Sequence, residues 1–203
     1  MLGQGQVGPQ VSNDGATPAM RLGRSAEVVV QELHGRYYET ARRGALFYAS
    51  VAAVALTSLN ATATGLILWN PNNSGVNMVL QKAMVQVIVT SASMTSIGFA
   101  FGVQAVVPTS VTAVATTGSC YLANNAGNVK AYSAATLAVA PGLLLNFAHN
   151  TAAIATTGVD GLVTDFEGSI VVPSGYALVL NAGGAASAAS AVNATVLWEE
   201  VPL

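Results

Sequence analysis

Apolar positions recur in short runs along most of the chain, and their spacing predicts strands. From about residue 45, segments rich in Val, Ile, Leu, Thr and aromatics are bounded by Gly, Pro, Asn and Ser. Candidate strands fall at 65–69, 76–90, 97–103, 111–115, 129–135, 143–147, 162–172, 176–180 and 191–199. The longest is 76–90, where Gln81, Lys82 and Gln86 predict one wet face. No window sustains a helical period. Many short strands at this spacing predict an all-β antiparallel sandwich or barrel.

Turn chemistry separates these runs. Asn70-Pro71-Asn72-Asn73-Ser74-Gly75 is a dense turn signal after Trp69. Pro173-Ser174-Gly175 sits between two β runs, with proline presetting φ and glycine accepting a positive one. The last run alternates, which turns Trp198 inward. Pairing is expected to stop at Val201-Pro202-Leu203, because proline has no N–H to give a ladder. Val114-Ala115-Thr116-Thr117-Gly118 and Ile154-Ala155-Thr156-Thr157-Gly158 echo each other, as two similar strand exits rather than a repeat array.

The first 43 residues are different. Residues 1–24 are rich in Gly and Pro, have little apolar periodicity, and cannot pack a core of their own. In 25–43, Val28-Val29-Val30 argues strand, while Ser25-Ala26-Glu27 can cap a short helix that Gly35 would end. The expectation is an extended N-terminal arm over 1–43, with a possible helical turn, and a β-sandwich body over 44–203.

Charge reinforces this division. Only 8% of the residues are charged, against roughly 25% in an ordinary soluble domain. Five of the seven basic residues, Arg21, Arg24, Arg36, Arg42 and Arg43, lie in the arm, interleaved with Glu27, Glu32 and Glu39. After Gly44 only Lys82, Lys130, Asp160, Asp165, Glu167, Glu199 and Glu200 are charged. A nucleic-acid binder shows basic patches unbroken by carboxylates, so direct contact with nucleic acid is not expected. Arginines alternating with glutamates suit ion pairing with protein. A weakly charged body has little to keep its copies apart, which favours life in an assembly.

Arg42-Arg43 before the apolar stretch 44–56 imitates a signal peptide. The stretch begins about forty residues into the chain, and it is too short to cross a bilayer without taking in Thr57, Ser58 and Asn60. A buried first strand is expected there, with no membrane partner.

Candidate chemistry is sparse. Cys120 is the only cysteine and is expected in the core. His34 and His149 are the only histidines, with no Gly-x-Ser-x-Gly elbow and no cysteine cluster to complete a zinc site. Asp160, Asp165 and Glu167 lie close enough to suggest calcium, yet their spacing fits no EF-hand, and alternation exposes Asp165 and Glu167 on one strand face. No catalytic residue, metal site or cofactor is expected, and the chain reads as a non-enzyme.

The segment Ile170-Val171-Val172-Pro173-Ser174-Gly175-Tyr176-Ala177-Leu178-Val179-Leu180, with the ending Leu197-Trp198-Glu199-Glu200-Val201-Pro202, resembles small structural proteins of tailed-bacteriophage virions. So does Glu32-Leu33-His34-Gly35-Arg36-Tyr37-Tyr38-Glu39, placed before a body containing Leu68-Trp69-Asn70-Pro71. That resemblance implies a jelly-roll-like sandwich, commonly a homotrimer, that decorates or cements a capsid. It implies a virion assembled in the host cytoplasm, with the major capsid protein or another virion protein as partner. Arg21, Arg24, Arg36, Arg42 and Arg43 would pair with carboxylates, and Tyr37 and Tyr38 would bury area against that partner. Two alternatives stay open: a tail-fibre, baseplate or host-binding virion module, and a secreted β-rich binding protein.

Overall fold

The computed structural model describes residues 35–89, 96–118, 127–149, 161–183 and 191–203. The chain divides into two compact units, Met1–Tyr38 and Glu39–Leu203. Among the described residues, one short helix, α1 (Tyr38–Arg42), precedes eleven strands. These are β1 (Leu46–Val54), β2 (Thr62–Asn70), β3 (Val76–Val89), β4 (Ser96–Val103), β5 (Thr109–Val114) and β6 (Thr117–Gly118). They continue with β7 (Lys130–Thr136), β8 (Gly142–His149), β9 (Gly161–Val172), β10 (Tyr176–Gly183) and β11 (Ala191–Pro202).

The strands form two antiparallel sheets. One has the order β6-β1-β11-β3-β9, the other β5-β7-β2-β10-β4-β8. Pairing is nested: β1 with β11, β2 with β10, β3 with β9 and β4 with β8. Successive members of that series alternate between the sheets, which is the winding of a jelly roll. The all-β jelly-roll sandwich expected from the sequence is the fold. The inserted β5 and β7 widen the six-stranded sheet beside β2, and β6 adds a two-residue pairing to β1.

The stretch that imitates a signal is the strand β1. Leu46, Phe47, Ala49 and Val51 are buried, while Tyr48 and Ser50 are exposed. Phe47 stacks on Trp198 at 6.1 Å in the core between the sheets, beside Leu68, Leu80, Phe99 and Leu180. A second cluster, with Ile67, Trp69, Tyr132 and Val179, occupies the other face of the six-stranded sheet. The central strands β2 and β10 are therefore buried on both faces. That explains why Leu66-Ile67-Leu68-Trp69 is continuously apolar instead of alternating.

The helical turn allowed for in the arm falls at residues 38–42, after Gly35 rather than before it. Gly44, at φ 70°, ends the helix: its N–H reaches Ala41 O at 3.0 Å and the Ala45 N–H reaches Thr40 O at 3.1 Å. This is the paired closure a left-handed residue permits after a last turn. Pairing also continues past the point where Pro202 was expected to stop it. Pro202 stands opposite Val76, and the Leu203 N–H donates to Gly75 O at 3.0 Å. The Glu200 N–H points the other way, to Ala45 O at 2.8 Å. Pro202 shares that orientation, and β1 has already ended beside it, so the missing donor costs no ladder bond.

Lys82 and Gln86 are half-buried on the outer side of β3, as the wet-face reading requires. Gln81 is buried instead, because pairing with both neighbours shifts register beside it. A bulge changes the phase of the strand, so alternation cannot carry through it.

Candidate partner-binding surface

The described part of the arm begins with a turn, in which the Tyr38 N–H donates to Gly35 O at 2.9 Å. The Arg36 guanidinium carbon lies 5.6 Å from the centre of the Tyr37 ring, a cation–π distance. The Tyr37 hydroxyl is buried and has no hydrogen-bond partner, while Tyr38 is 46% exposed. Arg42 and Arg43 are exposed at the end of α1. Glu39 in the first turn and Arg42 in the last both complement the helix dipole.

Arg43 has a local role that its sequence position did not reveal. Its Nε donates to Glu39 O at 3.3 Å, across one helical turn, and caps a carbonyl there. Arg36 and Tyr37 are brought together. Arg21 and Arg24 lie outside the described residues, as do His34, Cys120 and Asp160.

The acidic candidates do not assemble a site. Asp165 pairs with Lys82 at 3.6 Å and accepts the Glu167 N–H at 3.1 Å. Glu167 has φ 51° at a bulge in β9, and both carboxylates sit at exposed positions, as alternation predicted. Among the described residues, no three His, Cys, Asp or Glu side chains cluster as metal ligands. His149 ends the edge strand β8. Among the same residues, no helix is long and apolar enough to cross a membrane.

Sequence reasoning passed over the polar groups that hold the body's corners. Glu200 is only 5% exposed. Its Oε2 accepts the Asn128 N–H at 2.9 Å and Asn128 Nδ2 at 3.1 Å. Its Oε1 accepts the Val129 N–H at 3.0 Å and lies 3.5 Å from Trp198 Nε1. A buried carboxylate is tolerated because donors converge on both oxygens. The signal was present: the alternation that turns Trp198 inward turns Glu200 inward too.

Asn70 is fully buried where β2 leaves its sheet, and its Nδ2 donates to Val76 O at 2.9 Å and Val172 O at 3.0 Å. One amide thus ties β2 to β3 and to the end of β9. Gln104 fixes a second corner, accepting the Ala138 N–H at 2.8 Å and donating to Val106 O at 2.5 Å. The Trp69 indole donates to Gln104 O at 2.8 Å. These bonds hold the β4–β5 and β7–β8 connections together. Burial raises the Tyr132 phenol above its ordinary value of 10.0.

No known protein family, curated protein sequence or solved structure matches this chain.

Proposed function

We propose that this protein is a non-enzymatic structural component of a phage virion, decorating or cementing the capsid as a homotrimer. The N-terminal arm docks on the major capsid protein or another virion protein, and the β body forms the outward part. The observation that carries the reading is the partition of charge: five arginines in 43 residues, set before a jelly-roll body almost without charge. An arm of this kind can add a strand or a short helical turn to a neighbour, with arginines pairing to carboxylates. Jelly rolls recur in viral capsid domains, which supports the reading by analogy of fold alone.

Co-sedimentation with undecorated capsids tests it. The full chain is expected in the pellet, and a chain lacking residues 1–43 in the supernatant. The shortened chain should stay folded, because among the described residues the central core begins at Phe47. Equal binding by the two proteins would sink the arm's role.

A host-binding module is the second reading. It rests on an open groove of about 300 Å³ on the five-stranded sheet, lined by Met84, Gln86, Val163, Asn193 and Thr195. Asn193 Nδ2 already donates to Gln86 Oε1 at 3.1 Å, so the groove's amides are partly spent on each other. Saturable binding of a host glycan at this groove would favour the alternative.

A further inference from the structure

We propose that the groove on the outer face of the five-stranded sheet binds a neutral acetamido sugar. This rests on the second reading above and names the ligand class. A sugar site on the body is compatible with a docking arm in the same chain.

The strand register assembles the groove. Thr195 on β11 stands opposite Met84 on β3, which stands opposite Val163 on β9. In the next row on that face, Asn193 stands opposite Gln86, and Gln86 opposite Gly161. Residues directly opposite share a face, as do residues two apart on one strand, so all six belong to one side of the sheet. The register shifts of β3 lie outside this stretch. Met84 is 38% and Val163 61% exposed, whereas Val85 and Ala194, between the rows, face the central core. Gly161 opens the groove at the sheet edge, since a Cβ there would meet nothing within 4 Å.

A relay fixes the polar end. The Ala53 N–H donates to Asn193 Oδ1 at 3.0 Å. A backbone N–H can only donate, so the Asn193 oxygen must lie on that side. Its Nδ2 then faces Gln86 and donates to Oε1 at 3.1 Å. Gln86 is left with its Nε2 amino group, which has no partner among the described residues. Ala53 begins this relay at φ 53°, in a bulge that sets two residues of β1 against Asn193. Beside the groove, Ser50 Oγ and Thr195 Oγ1 share one hydrogen bond at 2.8 Å. Whichever of them donates, one hydroxyl hydrogen is left for a ligand.

The occupant follows from this donor set. Uncommitted N–H and O–H groups stand beside the aliphatic side chains of Met84 and Val163, so a ligand must carry acceptors next to an apolar group. An acetamido sugar does so. Its carbonyl would accept from Gln86 Nε2, its methyl would pack on Met84 and Val163, and a ring hydroxyl would accept from the Ser50–Thr195 pair. The volume of about 300 Å³ is at the small end of ligand pockets, which suits a single sugar unit. A peptide strand adds to a free edge in the plane of a sheet, but β3 beneath the groove is paired on both sides. An anionic sugar would meet Asp165, two residues from Val163 on the same face, and the nearby cation Lys82 already pairs with it at 3.6 Å.

Titration of the full chain with N-acetylglucosamine and N-acetylgalactosamine, followed by NMR, tests this, with glucose and galactose as the parents lacking the acetamido group. Saturable binding of an acetamido sugar is expected in the millimolar range, because an open groove covers only one side of its ligand. Its parent should bind at least about tenfold more weakly. Gln86→Met removes the donor and keeps the length of the side chain; Gly161→Tyr fills the open end, where the backbone is not left-handed. Each should lose at least about tenfold in affinity, and Val139→Ser, between β7 and β8, should bind like the wild type. Circular dichroism checks that each variant is folded. A folded wild type that binds neither acetamido sugar would overturn the inference, as would equal binding of the parents or undiminished binding by folded Gln86→Met or Gly161→Tyr. Adsorption to host cells is scored separately. Adsorption that Gly161→Tyr abolishes, without binding of either acetamido sugar, defeats the ligand assigned here and leaves the host-binding reading standing.

Discussion

In the five-stranded sheet, Lys82, Asp165, Glu167, Glu199 and Glu200 account for every charge on the described strands except Lys130, which begins β7 in the six-stranded sheet. Both sheets contribute to one central core, so the contrast lies in what surrounds it. On the charged sheet, acids are placed where they do structural work. Glu200 ties a connection to the last strand, and Asp165 pairs with Lys82 beside an interrupted edge. The other sheet has a second apolar cluster on its far face and three exposed leucines at one edge. Among the described strands, the few charges are concentrated on one layer. Low charge is therefore no uniform property of the described strands: nearly all of their charge lies in one sheet.

Three substitutions probe that contrast. Glu200→Ala should do the most damage, because it strips the acceptor from the Asn128 and Val129 N–H groups and from the Trp198 indole. A loss of about 3 kcal/mol is expected in urea denaturation. A loss below about 1 kcal/mol would mean that water replaces the carboxylate and that the corner is not held by charge. Asn70→Ala comes next, at about 2 kcal/mol, since it removes both bonds from Nδ2 to Val76 O and Val172 O. Lys82→Ala should cost least, under about 1 kcal/mol, because its pair with Asp165 is solvated. If Lys82→Ala proved as costly as Glu200→Ala, the distinction between buried anchors and surface pairs on the charged sheet would collapse.

Much of the fold was legible in the sequence, for definite reasons. Strands bounded by Gly, Pro and Asn were found because a half-buried strand must alternate, as β11 does from Val192 to Trp198. The apolar run at 44–56 read correctly as a strand because Thr57, Ser58 and Asn60 close it. Legibility failed where long-range pairing sets the outcome. Gln81 became buried because a bulge changed the phase of β3. Pro202 could be paired because β1 ends before it. The helix at Tyr38–Arg42 depends on one left-handed glycine, Gly44, after a stretch whose valines and glycines argued for extended chain. Of the arm, Arg36 beside Tyr37 and the capping by Arg43 are visible in the structure, and the use of its arginines by a partner remains the proposal. Glu200 was the avoidable miss. Its phase with Trp198 was plain, but a glutamate near a strand end is ordinarily solvated, and only the converging donors of Asn128 and Val129 show otherwise.

In the proposed role the arm docks and the body assembles. Light scattering on a sizing column, for the full chain and for residues 44–203, tests that division most directly. Three times the single-chain mass is expected for both proteins, the full chain being 20.5 kDa per copy. A body that falls to single chains when the arm is removed, or a full chain that never associates, would contradict it.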